Sequence, residues 1–303
     1  MSREQRAAID ALLRRSDDFR SDTPPSVHDL RDGFAALMAQ MRVAPGIRTT
    51  DTTAGGRPAL LVEPDAGPRP GTILYFHGGA FALGSPQTAL SLTAALVART
   101  GIRSVSVDYR LAPEHPFPAG IDDTVAAYRS LLDAGHAPES IVFAGDSAGG
   151  GLTVTTCLRA REAGLPLPAA IVAFSPGLDA TRSGASMTTK DGIDPIFTRQ
   201  ALVRTGQLYT AGADPHQPLL SPALYADLTG FPPMLVQVGT NELLLDDSTR
   251  VAARARDAGV DVILDVTADV PHVFQSFTGV LDEADRALDR AALFVTQHVD
   301  AAG

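Results

Sequence analysis

The sequence contains a single cysteine, Cys157, and no tryptophan among its 303 residues. One thiol cannot form an internal disulfide, so packing and hydrogen bonds must hold the fold together. The chain also lacks an uncharged apolar run of ~18 residues, the minimum for a membrane span. Its first residues are charged, and they lack the apolar segment of ~7–15 residues that a secretory leader contains. We therefore expect no membrane span and a cytoplasmic location.

Basic residues are in the minority, because 25 Lys and Arg face 35 Asp and Glu, for a net charge of −10. Nucleic acids and anionic membrane surfaces are polyanions, so this charge argues against both as partners. No cysteine and histidine cluster has zinc-ligand spacing. The acidic pairs Asp122–Asp123 and Asp246–Asp247 are typical of helix N-termini. The sequence thus predicts neither a nucleic-acid partner nor a metal site.

From about Ile47 onward, apolar strand candidates alternate with helical segments. Nearly continuous apolar runs of this kind are typical of parallel strands that are covered on both faces. The alternation predicts an α/β fold with a mostly parallel, doubly wound sheet. The strand candidates are Ala59–Val62, Thr72–Phe76, Arg103–Val107, Ile141–Ala144, Ala170–Phe174, Met234–Val238 and Val262–Val266.

Two regions do not follow this alternation. Residues 1–45 have helical patterns with no strand before them, and residues 181–230 contain one helix, near Thr198–Tyr209, among many Gly, Pro and Asp residues. A long insertion without strands, late in an α/β sheet, is typically a lid over a site. We expect both regions to form a helical cap on a catalytic domain of residues 46–303.

The strongest chemical signal is the G-x-S-x-G motif Gly145-Asp146-Ser147-Ala148-Gly149, which lies between an apolar strand and a helix. This context is the one that a nucleophile elbow requires, because a sharp turn must lift the serine hydroxyl above the sheet. Ala148 begins the helix, so its N–H is free to bind an oxyanion. A plain Gly/Ser-rich turn or a phosphate loop is the alternative. The placement favours Ser147 as a nucleophile.

A second glycine-rich loop, His77-Gly78-Gly79, follows the strand candidate Thr72–Phe76. Acyl transfer requires donors at the developing oxyanion, and a glycine pair supplies backbone N–H groups that no side chain blocks. We expect His77 to brace the loop by hydrogen bonding. A better general base is His272, on a loop between the last strand candidate and the final helix, from where it can reach an elbow serine. A loop histidine without a role is the alternative.

Three motifs together resemble the hormone-sensitive-lipase-like esterases, the bacterial family IV lipolytic enzymes of the α/β-hydrolase fold. They are the loop HGGAFALGS, the stretch SVDYRLAPEHPFPAG at Ser106–Gly120 and the elbow GDSAGG. The resemblance extends from about Leu60 to Phe277. It implies a capped α/β-hydrolase that cleaves carboxylic esters of modest chain length without a metal or organic cofactor. It also implies that Gly78, Gly79 and Ala148 supply the oxyanion donors.

The resemblance also bears on the catalytic acid. Glu242 stands where the family usually has the Asp of an Asp-Pro-Leu sequence, so we favour Glu242, with Asp246 as the alternative. Two positions depart from the family pattern. Ala80 replaces the third glycine of HGGG but keeps its N–H. Val273 replaces the glycine after the histidine and places a branched side chain near the site.

The sequence therefore predicts a serine hydrolase that cleaves short- to medium-chain esters, a small-molecule substrate class, through an acyl-enzyme. A lactone or amide hydrolase with the same groups remains an alternative. A non-catalytic small-molecule receptor on this fold is another, although such receptors have lost the histidine that is present here. A homodimer is an expectation from the resemblance. The residues expected to line an apolar substrate pocket are Phe34, Leu208 and Val273.

Overall fold

The computed structural model describes residues 2–15 and 25–299, and eight strands in these residues form one central sheet. Their order across the sheet is β1-β2-β4-β3-β5-β6-β7-β8. The second strand pairs antiparallel with both of its neighbours, and the remaining neighbours pair in parallel. The predicted mostly parallel α/β sheet is thus confirmed. The strands are β1 (Ile47–Ala54), β2 (Arg57–Pro64), β3 (Arg69–Phe76), β4 (Ile102–Val107), β5 (Ile141–Asp146), β6 (Ala170–Phe174), β7 (Met234–Gly239) and β8 (Val262–Thr267).

Helices flank this sheet and connect most of its strands. Within residues 2–15 and 25–299, no helix combines the length and the apolar character needed to cross a bilayer. The α-helices of the described residues are α1 (Ser2–Leu13), α2 (Val27–Met38), α3 (Leu90–Thr100), α4 (Ala119–Asp133), α5 (Ala148–Glu162), α6 (Ser186–Thr189), α7 (Arg199–Thr210), α8 (Pro222–Tyr225), α9 (Leu245–Asp257) and α10 (Asp282–His298). Short 3₁₀ helices lie at Pro138–Ser140 and Phe274–Phe277.

Both faces of the central strands are buried. On one face, Leu74 of β3 and Phe143 of β5 pack with Tyr128 of α4, whose ring meets that of Phe143 edge-on at 4.7 Å. On the other face, Ile73 of β3 packs in a cluster with Leu288 of α10. Burial on both faces explains why these strands are nearly continuous apolar runs.

Strand β1 was not among the strand candidates. Its sequence IRTTDTTA is mostly polar, and six of its eight residues are exposed. It lies at the end of the sheet and pairs with β2 along its whole length. A polar edge strand discourages pairing with other chains, but it carries no apolar pattern by which the sequence could reveal it.

The regions predicted to form a cap contact each other and the rest of the chain. Leu30 of α2 belongs to a cluster that also includes Leu208 of α7, so the N-terminal region meets the insertion 181–230. Ile9 of α1 packs with Phe274, close to the C-terminal helix. The described residues of the insertion contain α6, α7 and α8 and no strand. That these regions act as a cap remains a prediction.

Candidate active site

Ser147 lies on the turn between β5 and α5, with φ 53° and ψ −117°. A non-glycine residue in such a conformation stores strain of about 1–3 kcal/mol, which the surrounding structure must hold in place. The flanking glycines make the turn possible. A Cβ on Gly149 would lie 1.9 Å from the carbonyl oxygen of Phe76, and one on Gly145 would lie 2.5 Å from the carbonyl carbon of Gly149. The G-x-S-x-G pattern is therefore a requirement of backbone packing.

Ser147, His272 and Glu242 form a chain of hydrogen bonds, although they come from three separate loops. His272 Nε2 lies 2.8 Å from Ser147 Oγ, and His272 Nδ1 lies 2.7 Å from Glu242 Oε2. Glu242 is fully buried and His272 is 5% exposed. With Nδ1 protonated toward the carboxylate, Nε2 is free to accept the serine proton, which is the arrangement that a general base requires.

The second oxygen of Glu242 is held by two donors. Glu242 Oε1 accepts the Gly239 N–H at 2.5 Å and the Ser175 hydroxyl at 3.0 Å. Ser175 Oγ also accepts the N–H of Val273, the residue after His272, at 3.1 Å. Ser175 thus connects the acid to the histidine loop. Ser175 was not among the predicted site residues, because nothing in its local sequence pattern indicates this contact.

Electrostatics at the site favour a charged imidazole. Burial by itself would lower the pKa of His272, since it penalises the charged form. The hydrogen bond and charge of Glu242, with the charges of Asp194 and Asp146, outweigh burial and raise the pKa of His272 above its ordinary value. The site therefore stabilises the imidazolium that forms when serine gives up its proton.

Asp194, between α6 and α7, is a further residue that the sequence analysis missed. Its carboxylate is buried, and Oδ2 accepts the N–H of Leu243, the residue after Glu242, at 2.9 Å. Oδ1 accepts the Phe197 N–H at 3.0 Å, and the Phe197 ring meets the His272 ring edge-on at 5.2 Å. Burial raises the pKa of Asp194. This carboxylate joins the insertion to the loop that carries the acid.

Asp246, the alternative acid, contacts Ser186 and not His272. Its carboxylate accepts the Ser186 N–H at 2.9 Å, and its own N–H donates to Ser186 Oγ at 3.2 Å. Asp246 occupies the first turn of α9, where a negative charge is favourable. The geometry thus favours Glu242 as the partner of His272.

His77 braces its loop, as expected. Its Nδ1–H donates to the Gly78 carbonyl at 2.8 Å, and its ring stacks on Tyr109 with centroids 4.2 Å apart. Burial lowers the pKa of His77 to about 4, so the ring is neutral at ordinary pH. The Tyr109 hydroxyl donates to the His77 carbonyl at 2.7 Å. These contacts fix the strand end from which the glycine-rich loop begins.

Gly78, which was predicted to supply an oxyanion donor, is not among the residues that line the cavities beside Ser147, so the cavity geometry gives that role no support. Gly78 is buried against Asp146, whose Oδ2 would lie 2.1 Å from a Cβ at that position. The Tyr75 hydroxyl donates to Asp146 Oδ1 at 2.8 Å and holds this carboxylate in place. Burial nevertheless raises the pKa of Asp146 to about 6. Gly79 and Ala80, one and two residues later, line the cavity beside Ser147.

Two cavities meet at Ser147, and both are also lined by Ala80 and Phe197. The larger spans about 930 Å³, including space open to solvent, and the predicted Phe34 and Val273 line it. The smaller spans about 690 Å³, again including space open to solvent, and lies beside Ala148. Leu208 was predicted to line the pocket, but it packs instead against Leu30, Ala82 and Leu83. Its helical neighbour Tyr209 faces the smaller cavity, so the prediction chose the wrong face of α7.

The nucleophilic serine lies on a strained strand–helix turn. An acid and a histidine follow it in chain order and lie at the same edge of a parallel sheet. These features define a serine hydrolase of the α/β-hydrolase fold. Comparisons with known proteins agree. The family described as alpha/beta hydrolase fold matches residues 73–276. The chain belongs to this family, in its hormone-sensitive-lipase-like group, so the resemblance seen in the motifs is confirmed.

Individual relatives are similar over most of the chain. An acetyl-hydrolase of Streptomyces hygroscopicus is 44% identical over 224 residues, 74% of this chain and 75% of that protein. An esterase of Acinetobacter venetianus is 39% identical over 74% of each chain. The crystal structure of an esterase from the bacterial hormone-sensitive lipase family superposes with a TM-score of 0.92 at 38% identity, covering 98% of this chain and 99% of that one.

Proposed function

We propose that the protein is a serine carboxylesterase that hydrolyses short- to medium-chain esters through an acyl-enzyme intermediate. The observation that carries this proposal is the hydrogen-bonded chain from Ser147 Oγ through His272 to Glu242, with distances of 2.8 Å and 2.7 Å. The relatives are an acetyl-hydrolase and an esterase, which supports an ester as substrate.

In the first half-reaction, Ser147 Oγ attacks the ester carbonyl carbon while His272 Nε2 takes the serine proton. Glu242 stabilises the imidazolium. The N–H groups of Gly79, Ala80 and Ala148, residues that line the cavities at Ser147, stabilise the negative charge on the carbonyl oxygen. His272 then donates its proton to the leaving alcohol. In the second half-reaction, water repeats these steps on the acyl-enzyme and releases the acid.

The apolar character of the larger cavity supports an uncharged organic group in that part of the substrate. Leu13 and Phe34 from the N-terminal helices and Val273 and Phe277 from the histidine loop contribute to its walls. A hydrophobic pocket with few polar groups is typical of small-molecule sites. We infer that the N-terminal helices and residues 181–230 act together as a cap over this cavity.

The alternative functions, a lactone or amide hydrolase and a non-catalytic receptor, differ in which catalytic residues they require. A lactone or amide hydrolase would use the same three groups, and only the leaving group would change. A non-catalytic receptor would have no need for His272 at hydrogen-bond distance from Ser147. The hydrolase therefore accounts for more of the geometry than the receptor.

Replacing the nucleophile tests the proposal. With p-nitrophenyl acetate and butyrate, Ser147→Ala should lower kcat by about 10⁴-fold or more, because no acyl-enzyme can form. Wild-type protein should also show a stoichiometric burst of p-nitrophenol if deacylation is slow. Turnover in the variant close to that of the wild type would contradict the assignment. Thermal unfolding of both proteins checks that the variant is folded.

Two further expectations concern the whole molecule. We infer that a second copy of the chain packs on β8, the last strand of the sheet. Its Ile263, Leu264 and Val266 are all exposed, with Ile263 54% accessible, and exposed apolar edges are typical of interfaces. The cytoplasmic location remains a prediction from the sequence.

A further inference from the structure

The two cavities at Ser147 have different chemical character. His272 lines the larger cavity, whereas the smaller one lies between the loop 177–182 and helix α7. During hydrolysis, His272 must protonate the leaving oxygen, so the alcohol part of the substrate faces the larger cavity. The acyl part then extends into the smaller cavity. This step rests on the proposed function.

The smaller cavity contains a guanidinium, that of Arg182. The side chain is 17% exposed, and its end lies beside α7, because Nη2 would be 3.6 Å from a Cβ on Gly206. Among residues 2–15 and 25–299, no hydrogen bond reaches this guanidinium. A guanidinium offers five donors, and no nitrogen of Arg182 belongs to the buried polar atoms without a partner among the described residues. Those of its donors that have no protein partner are therefore open to solvent. The cavity therefore presents strong donors to whatever enters it.

The carboxylate of Asp247, which forms an ion pair with Arg182, lies too far away to accept a hydrogen bond from the guanidinium. Asp247 Oδ2 lies 4.0 Å from Arg182 Nη1, and this oxygen already accepts the N–H groups of Leu178 at 2.7 Å and Asp179 at 2.9 Å. Burial raises the pKa of Asp247 to about 7, so its negative charge is partial at neutral pH. By contrast, Arg250 pairs directly with Asp179 at 3.0 Å. Of the two arginines, Arg182 is the one left with free donors.

We propose that Arg182 binds a carboxylate at the far end of the acyl group, so that the enzyme accepts monoesters of dicarboxylic acids. The planar fork of a guanidinium matches both oxygens of a carboxylate. Thr155 and Thr210 also line this cavity. Water adds across the ester bond, and the products are the alcohol and the dicarboxylic acid.

The test compares monoethyl esters of glutaric, adipic and suberic acid with ethyl esters of neutral acids of matching chain length. The quantity measured is the ratio of kcat/KM for the charged ester to that for the neutral one. For at least one chain length, Arg182→Met should lower this ratio by about tenfold or more, since it removes a charge-assisted hydrogen bond. Arg159→Met, which alters an exposed arginine of α5, should leave the ratio unchanged.

Asp247→Asn provides a second variant if Arg182→Met does not fold. An amide oxygen can still accept the two backbone N–H groups, while the charge that competes for Arg182 is removed. The ratio should then rise. An unchanged ratio in folded Arg182→Met would overturn the proposal and leave Arg182 as a counter-charge for Asp247, and if that variant does not fold, an unchanged ratio in Asp247→Asn would do so. Failure of the wild type to hydrolyse the neutral esters would instead contradict the proposed function.

Discussion

Replacing Glu242 by glutamine changes one atom of the site, and the structure predicts the consequence. Glu242 Oε1 accepts two hydrogen bonds, from Gly239 N–H and from the Ser175 hydroxyl. In the variant, the amide oxygen must occupy this position, because an NH₂ group there would meet the Gly239 donor. The NH₂ group then faces His272 Nδ1.

A donor at Nδ1 selects the wrong tautomer of His272. Nδ1 becomes an acceptor, and the ring proton moves to Nε2, where it points toward Ser147 Oγ. His272 can then no longer accept the serine proton. Loss of the correct tautomer in a Ser-His-acid site lowers kcat by about 10⁴-fold, which corresponds to about 5.5 kcal/mol of transition-state stabilisation.

The assay is steady-state hydrolysis of p-nitrophenyl butyrate by Glu242→Gln and Asp246→Asn, with thermal unfolding as a check on folding. Asp246→Asn should retain most of the wild-type kcat, because Asp246 contacts Ser186 and not the histidine. KM should change little in either variant, since neither side chain lines a cavity surface beside Ser147. A Glu242→Gln variant within tenfold of wild type, or a greater loss in Asp246→Asn, would refute the reasoning.

The remaining predictions concern the electrostatics of the site and the edge of the sheet. Because only neutral His272 accepts the serine proton and its pKa is raised, kcat/KM should rise with pH through an inflection above about 6.5. Asp194→Asn removes one of the charges that raise the pKa of His272, so the inflection should move to lower pH. A lower plateau of kcat/KM with the inflection at an unchanged pH would indicate that Asp194 has a purely structural role. For the dimer, Leu264→Lys together with Val266→Lys should convert a dimeric wild type to monomer in sedimentation velocity, and a wild type that is monomeric at micromolar concentration would contradict this interface.

The sequence by itself determined those features that depend on a short motif or on a periodic pattern of apolar residues. The G-x-S-x-G motif after an apolar strand indicated Ser147, because the turn depends on glycines within two residues of it. The continuous apolar strands indicated a parallel sheet. The chain order of nucleophile, acid and histidine then directed attention to His272, and the resemblance to the family's Asp-Pro-Leu position directed attention to Glu242. Each of these inferences uses neighbours along the chain or a repeat of apolar residues.

Only the tertiary structure decided which backbone and side-chain groups can contact a substrate and which hold the catalytic residues in place. Gly78 looked like an oxyanion donor, but it packs against Asp146, a residue 68 positions later in the chain, and lines neither cavity at Ser147. Ser175 and Asp194 support Glu242 and its loop through contacts that no local pattern encodes. A hydrogen bond between distant residues depends on the packing of the strands and helices that carry them, and this packing is a property of the whole folded chain.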